Sequence, residues 1–290
     1  MLVTQAADIQ AVAATAVTIV WQGVDSDGEP ADPGTVTVGV TNSAGDTVVA
    51  AGTATVVDGT KRTYALTATQ TASIDVLTAS FSSGGNVVGT VRVEIVGAPL
   101  ITRAEFQSLQ KLTQEKSPEQ VIEVRRQVDA FFLDKLKWAM TPRLAVERIH
   151  SVGRRELVLH FPHLREVRWA RKVNSDGTRT TIANVDQVAA SGAAIADFGP
   201  YDCWPVGDIE IAYVHGTRRP SDDAKRVIAR LMKAYLGEQV STLDDRTQTF
   251  SDGTGATYSL AVEGRNGVYS SIPTVNEFIR ANRREVTGIA

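Results

Sequence analysis

The chain has 290 residues, 43% of them hydrophobic and 22% charged, with a formal net charge of −3. That length exceeds one ordinary core and suits two domains of roughly 100–200 residues each, and the apolar content excludes disorder as the default state. The net charge names no partner, and the single cysteine, Cys203, excludes an internal disulfide and fits a reducing compartment.

No apolar run approaches the ~18 residues of a membrane helix. The first basic residue is Lys61, so no secretion signal is expected. Charge is unevenly distributed. Residues 1–98 hold three Lys/Arg (Lys61, Arg62, Arg92) against nine Asp/Glu, and the rest holds 27 against 24. Such a switch marks a domain boundary, here at "VGAPLIT", where Gly97 and Pro99 break the last strand.

Before that joint the code is β. "TVTVGV" (Thr35–Val40), "TATVV" (Thr53–Val57), "TYALTA" (Thr63–Ala68) and "TVRVEIV" (Thr90–Val96) alternate at period two, separated by turn compositions such as "NSAGD" and "SSGGN". Several short strands at this spacing predict an immunoglobulin-like β-sandwich over 1–98, with Trp21 and Phe81 as core aromatics.

After the joint the code becomes helical. "TRAE" (Thr102–Glu105) and "SPEQ" (Ser117–Gln120) are capping boxes, the second with proline at the first helical position. Val121, Val124, Val128, Phe132, Leu136 and Met140 then form one apolar stripe that Thr141-Pro142 stops. Strands follow: "ELVLHF", "EVRWARKV" and "RTTIANV" about an Asn174–Thr178 turn, and "DIEIAYVHG". Alternation in "EVRWARKV" puts Val167 and Trp169 on one core face. Ser221 caps a third helix whose first turn carries Asp222 and Asp223, with Val227, Ile228, Leu231, Met232 and Tyr235 as its buried face. A polar loop, Ser241–Ser259, and a last strand, glycine turn and short helix close the sequence. The predicted fold class is α+β multidomain: the sandwich, then a helical bundle over 99–290 with an inserted β-domain.

Chemistry is sparse. "EGRNGV" has neither the lysine nor the spacing of a phosphate loop, so Gly264 and Gly267 read as a structural turn. His160 and His163 flank Pro162 without a further ligand at metal spacing, and they read as surface or edge histidines. His215 stands at a strand end, where a turn role suffices. Asp244, Asp245 and Arg246 form a solvated charge cluster, and Cys203 reads as a small buried residue rather than a nucleophile. The basic runs are mixed in sign and scattered, unlike an organised nucleic-acid reader. No catalytic residue, metal or cofactor is expected, and the chain is not read as an enzyme. A metal-dependent hydrolase using His160 and His163 is the distant rival.

Three stretches, in order over residues ~101–286, carry a resemblance. They are "VLHFPHLREVRWARKVNSDGT", "IEIAYVHGTRRPSDDAKRVIARLMKAYL" and "YSLAVEGRNGVYSSIPTVNEFIRANRR". Together they resemble the head-to-tail connector, or adaptor, family of tailed bacteriophages. The chain departs from the family tail at Ser271 and at Asn276, where an acidic residue is common. The resemblance implies a non-catalytic ring of twelve copies in the virion neck, between the portal vertex and the tail, assembled in the host cytoplasm. Its partners would be further copies of itself, the portal protein, a tail-side neck or tail-terminator protein, and genomic double-stranded DNA passing through without base readout; no membrane is involved. Residues 1–98 lie outside the match and read as an added accessory domain.

The terminal helix, with Val275, Phe278 and Ile279 on one face, is too short to stand alone and needs a groove in its own chain or in the portal. The expected portal-docking set is Ile272, Pro273, Val275, Phe278, Ile279, Arg280 and Arg283. Asp244, Asp245, Arg246 and Asp252 are the expected channel or assembly loop. The rival within virion proteins is another tail or baseplate component that uses the first domain for host-surface adhesion.

Overall fold

The computed structural model describes residues 9–24, 27, 29–110, 112, 115–190, 194–198, 202–237, 249–251, 257–259 and 269–283. It is mixed α+β, with several sheets and four α-helices among the described residues. By contact the chain divides into two compact units. The first joins 1–98 to 141–218, and the second joins 99–140 to 219–290. The sequence reading kept 99–290 together; here the β insert groups with the N-terminal strands.

The N-terminal part of the first unit has eight strands: β1 (Ile9–Val12), β2 (Val17–Gln22), β3 (Val36–Thr41), β4 (Thr47–Thr53), β5 (Thr55–Val56), β6 (Lys61–Leu66), β7 (Asp75–Ser83) and β8 (Asn86–Val96). They form a five-stranded sheet, β1-β8-β7-β3-β4, and a three-stranded sheet, β2-β6-β5. One apolar cluster fills the space between them. Val36, Val38 and Val40 enter it from β3, Leu77, Ala79 and Phe81 from β7, Val91, Val93 and Ile95 from β8, and Ile19 and Leu66 from the smaller sheet. The period-two alternation dictates this, because successive side chains point to opposite faces. Trp21 stacks on Phe81 with centroids 5.2 Å apart. The indole lies where a Cβ at position 89 would be, so the close approach requires Gly89. Among the described residues β1 pairs parallel to β8 along Val93–Val96.

The insert contributes β9 (Arg143–Ser151), β10 (Glu156–Val158), β11 (Glu166–Val173), β12 (Arg179–Thr181), β13 (Ala189–Ala190), β14 (Ile195–Asp197) and β15 (Gly207–His215). Its sheets run β12-β11-β15-β9 and β10-β14-β13. The Asn174–Thr178 hairpin turn forms as expected, closed by Asn174 N–H donating to Thr178 O (2.9 Å). The expected shared face of Val167 and Trp169 does not form. A bulge between them pairs Val167 with Tyr213 but Trp169 with Ala212, which are on opposite faces. Gly97 N–H donates to Pro142 O (2.8 Å), and Arg143 pairs with Glu94 (3.1 Å), fastening β8 to β9.

In the second unit, α1 (Arg103–Leu109), α2 (Pro118–Leu136), α3 (Asp222–Tyr235) and α4 (Pro273–Asn282) share one apolar cluster. Both capping boxes are present at Thr102 and Ser117, and Ser221 accepts from Ala224 N–H to cap α3. α2 ends four residues before the expected Met140, because Lys137 takes a left-handed conformation (φ 61°). Tyr235, expected inside, is 45% exposed; Ala224 and Ala229 fill that face instead. Two short strands, β16 (Thr249–Ser251) and β17 (Thr257–Ser259), pair within the stretch read as a loop. No helix of the described residues is long and apolar enough to cross a membrane.

Candidate functional site

The expected docking residues lie on α4 and the turn before it. Ile272, Val275 and Ile279 are buried in the helical cluster of their own chain, with Val275 and Ile279 at 0% exposure. Phe278 is half-buried edge-on against Phe132, at a centroid distance of 6.0 Å. Trp138 Nε1–H donates to Asn282 O (2.8 Å), holding a carbonyl at the end of the helix. The groove this helix needs is therefore supplied by its own unit. Pro273, Arg280 and Arg283 remain exposed, with Arg283 donating to Tyr269 Oη (2.8 Å) and lying over that ring.

Asn276 stands where the connector resemblance leads to the expectation of an acidic residue, and its surroundings call for an amide. Its Oδ1 accepts from Tyr269 N–H and Ser270 N–H, both at 2.8 Å, while its Nδ2 donates to Ser270 O (2.7 Å). An ionised carboxylate could accept the first two bonds but could not donate the third. At 4% exposure, the amide is the side chain that satisfies this turn.

A second constellation sits in the β insert. Tyr213 Oη–H donates to Glu147 Oε1, Phe161 N–H donates to Tyr213 Oη (3.2 Å), and His160 N–H donates to Glu147 Oε2 (3.1 Å). His215 is 1% exposed and stacked on Phe161, with centroids 4.4 Å apart. Gly216 N–H donates to His163 O (3.1 Å), and His163 itself has φ 60°. Thus "HFPH" and "YVHG", far apart in sequence, form one knot. Burial above all, then the charge of Arg143 and the nearby His163 and His160, pushes the His215 pKa down to about 3. Burial, followed by the adjacent Glu147 charge, pushes the Tyr213 hydroxyl well above its usual range. The neutral tyrosine therefore stays a donor. Sequence reasoning gave His215 only a turn role; its apolar neighbours Ile211 and Tyr213 at alternate positions were the available signal.

These groups brace a turn rather than surround an open centre. His160 is exposed, while Tyr213 and His215 are buried. Among the described residues no three His, Cys, Asp or Glu side chains converge as metal ligands. Cys203, expected to be buried, is exposed, and its neighbour Trp204 is the buried residue, donating through Nε1 to Ala196 O (3.0 Å). Asp244, Asp245, Arg246, Asp252, Gly264 and Gly267 lie outside the described residues.

No protein-family model and no curated protein matches the chain. Among solved structures, a chain of the virion of a native gene transfer agent particle overlaps 65% of this chain and 93% of its own length, at 15% identity and TM-score 0.43. A chain from the neck of a native particle of that kind, computed with C12 symmetry, covers 64% and 90% at 14% identity and TM-score 0.41. One from the neck of an empty particle, computed with C6 symmetry, covers 51% and 83% at 14% identity and TM-score 0.39. Overlaps of this size stand below the level of a common fold.

Proposed function

We propose that this chain is a structural, non-catalytic subunit of the neck of a tailed-phage-like particle, forming a ring of twelve copies between the portal vertex and the tail. The observation that carries the reading is the ordered set of three connector-like stretches. In support, several of their described residues have packing roles. His163 and His215 tie a turn to a strand, Ser221 caps α3, and Asn276 clamps the turn before α4. The genome would pass through the ring without base readout. The chain would reside in the virion after assembly in the host cytoplasm.

The N-terminal sheets fit an immunoglobulin-like sandwich. Strand order β1-β8-β7-β3-β4 against β2-β6-β5, with the first strand parallel to the last, agrees with that architecture. On this reading the portal meets the exposed side of α4, at Pro273, Arg280 and Arg283, because the helix's apolar face is already covered by its own unit. The 241–259 stretch, within which β16 and β17 pair, remains the proposed channel or assembly loop.

Electron microscopy of the particle neck, with this chain tagged, tests the reading. Density for the tagged chain in a ring between head and tail is the expected result; density confined to the tail tip would overturn it in favour of an adhesion component. For the docking part, Arg280→Glu/Arg283→Glu should weaken portal binding while leaving helicity at 222 nm intact. Unchanged portal binding would move the contact elsewhere.

A further inference from the structure

Within the first unit, a groove of about 600 Å³ lies between the N-terminal sheets and β11 of the insert, inside the ~300–1,000 Å³ range of small-molecule sites. The β3–β4 turn lines it with Asp46, the segment ahead of β7 with Gln70, Ser73 and Asp75, and β11 with Arg168 and Trp169. Val48 and Leu77, which pack on the core between the two sheets, add apolar surface. These walls are fastened to one another. Trp169 Nε1–H donates to Ser43 Oγ (3.3 Å), and Arg171 donates to Ala44 O (2.6 Å) with its guanidinium 4.7 Å over the Trp169 ring. Ser43 N–H in turn donates to Asp75 Oδ1 (3.2 Å), so all three walls meet at the β3–β4 turn. A groove held in this way is organised before any ligand arrives.

Each wall keeps polar groups in reserve. Arg168 pairs with Glu166 through Nε (2.5 Å), and its terminal nitrogens make no hydrogen bond among the described residues. Gln70 accepts from Thr67 N–H through Oε1 (2.9 Å), which leaves its Nε2 donor. Asp75 uses Oδ1 for the N–H groups of Ser43 and Val76, and Asp46 uses Oδ2 for Asn42 Nδ2, so each carboxylate keeps its other oxygen. Donors and acceptors are thus mixed around an apolar lining. Arg168 opposes a cation, Asp46 and Asp75 oppose an anion, and among the described residues no three metal ligands converge. A pyranose suits such a set, because each hydroxyl both donates and accepts while its C–H groups need apolar surface. We propose that this groove binds a neutral saccharide. Arg168 and Gln70 donate to its oxygens, Asp46 and Asp75 accept from its hydroxyls, and Val48, Leu77 and Trp169 meet its carbons. The site lies wholly within the first unit and needs no second copy, so it goes beyond the neck reading and does not depend on it.

Saturation-transfer NMR on the full chain tests this, since it reads weak binding even to a large oligomer. The probes are maltose, cellobiose, lactose and di-N-acetylchitobiose. At least one should bind with a dissociation constant of about 1 mM. Arg168→Met removes the donors while keeping the stem, and it should weaken that binding about tenfold. Ser73→Tyr fills the groove from an exposed position and should abolish it. Arg148→Met, on β9 and outside the groove, should bind as wild type does. Unchanged circular dichroism and melting temperature show that each variant is folded. Silence across the panel, or binding that survives both groove variants, would overturn the site. A preference for glucuronate, or for the peptide acetyl-trialanine amide, over every neutral sugar would overturn the saccharide assignment.

Discussion

The helical unit and the β insert solve the same packing problem with different chemistry. In the helical unit the large shared cluster is apolar, from Phe106 through Phe132, Ile228 and Met232 to Val275 and Ile279, and Asp129, Ser270 and Asn276 are its buried polar neighbours in the chain. That cluster is maintained by exclusion of water, which is non-directional and does not titrate. In the insert, Arg143, Glu147, Ser151 and His215 are all buried, and Glu147 and His215 lie against Tyr213. Polar groups in such a place contribute only when each has its partner, and they specify one arrangement. The apolar cluster tolerates repacking; the insert, like the Asn276 turn before α4, depends on named hydrogen bonds.

The sharpest way to break this contrast is to remove one partner from each. Arg143→Ala leaves Glu94, 17% exposed, without its cation, and losing one partner of a buried ion pair costs about 3–5 kcal/mol. Phe132→Ala, at a site 1% exposed, costs a similar ~3–5 kcal/mol through the cavity it leaves. Three of the four tryptophans, Trp21, Trp169 and Trp204, lie in the first unit, and all four described α-helices lie in the second. Urea unfolding followed by tryptophan fluorescence should shift with Arg143→Ala, and ellipticity at 222 nm with Phe132→Ala. Equal shifts in both signals for both variants would erase the distinction.

Acid should separate the regions next. His215 titrates at about 3 when folded and near 6.5 in the unfolded chain. Its contribution is present in full above pH 6.5 and is lost as pH falls, because the unfolded chain takes up the proton first. At pH 5 the loss is about 2 kcal/mol. The first unit should show this slope by fluorescence, and His215→Phe should flatten it.

Smaller effects test the closing turn and the caps. Asn276→Ala removes three hydrogen bonds from a buried turn and should cost about 1–3 kcal/mol; Asn276→Asp should recover only part of that near neutral pH. Ser117→Ala at the start of α2 should cost about 1 kcal/mol. Both are read from the 222 nm urea midpoint.

The same contrast decides what the sequence revealed. Helices α1, α2 and α3 were legible because caps and apolar stripes are local signals, and so were β3, β6 and β8. β9 was not, since its inward positions 143, 147 and 151 carry Arg, Glu and Ser, inverting the pattern that marks a strand. The two charged ones are tolerated inside because residues beyond the strand complete them, Glu94 pairing with Arg143, and Tyr213 Oη–H and His160 N–H donating to Glu147, while Ser151 Oγ accepts locally from Gly153 N–H. β1 escaped for a related reason, as its partner lies more than eighty residues away. At the candidate docking site, the tail's apolar face was legible but its receiver was not, because periodicity shows that a face is buried without showing against what.

The bond between β8 and β9 also sets a timetable. Glu94 precedes Arg143 by 49 residues, with both capped helices α1 and α2 encoded between them. At roughly 5–20 residues per second, a ribosome delivers the arginine about 2–10 s after the glutamate. Through that interval the N-terminal sheets wait with an unneutralised carboxylate and with Ile74 and Val76 uncovered, while the helices emerge. A nascent chain stalled between the two leaves that face of the sheets open to a chaperone.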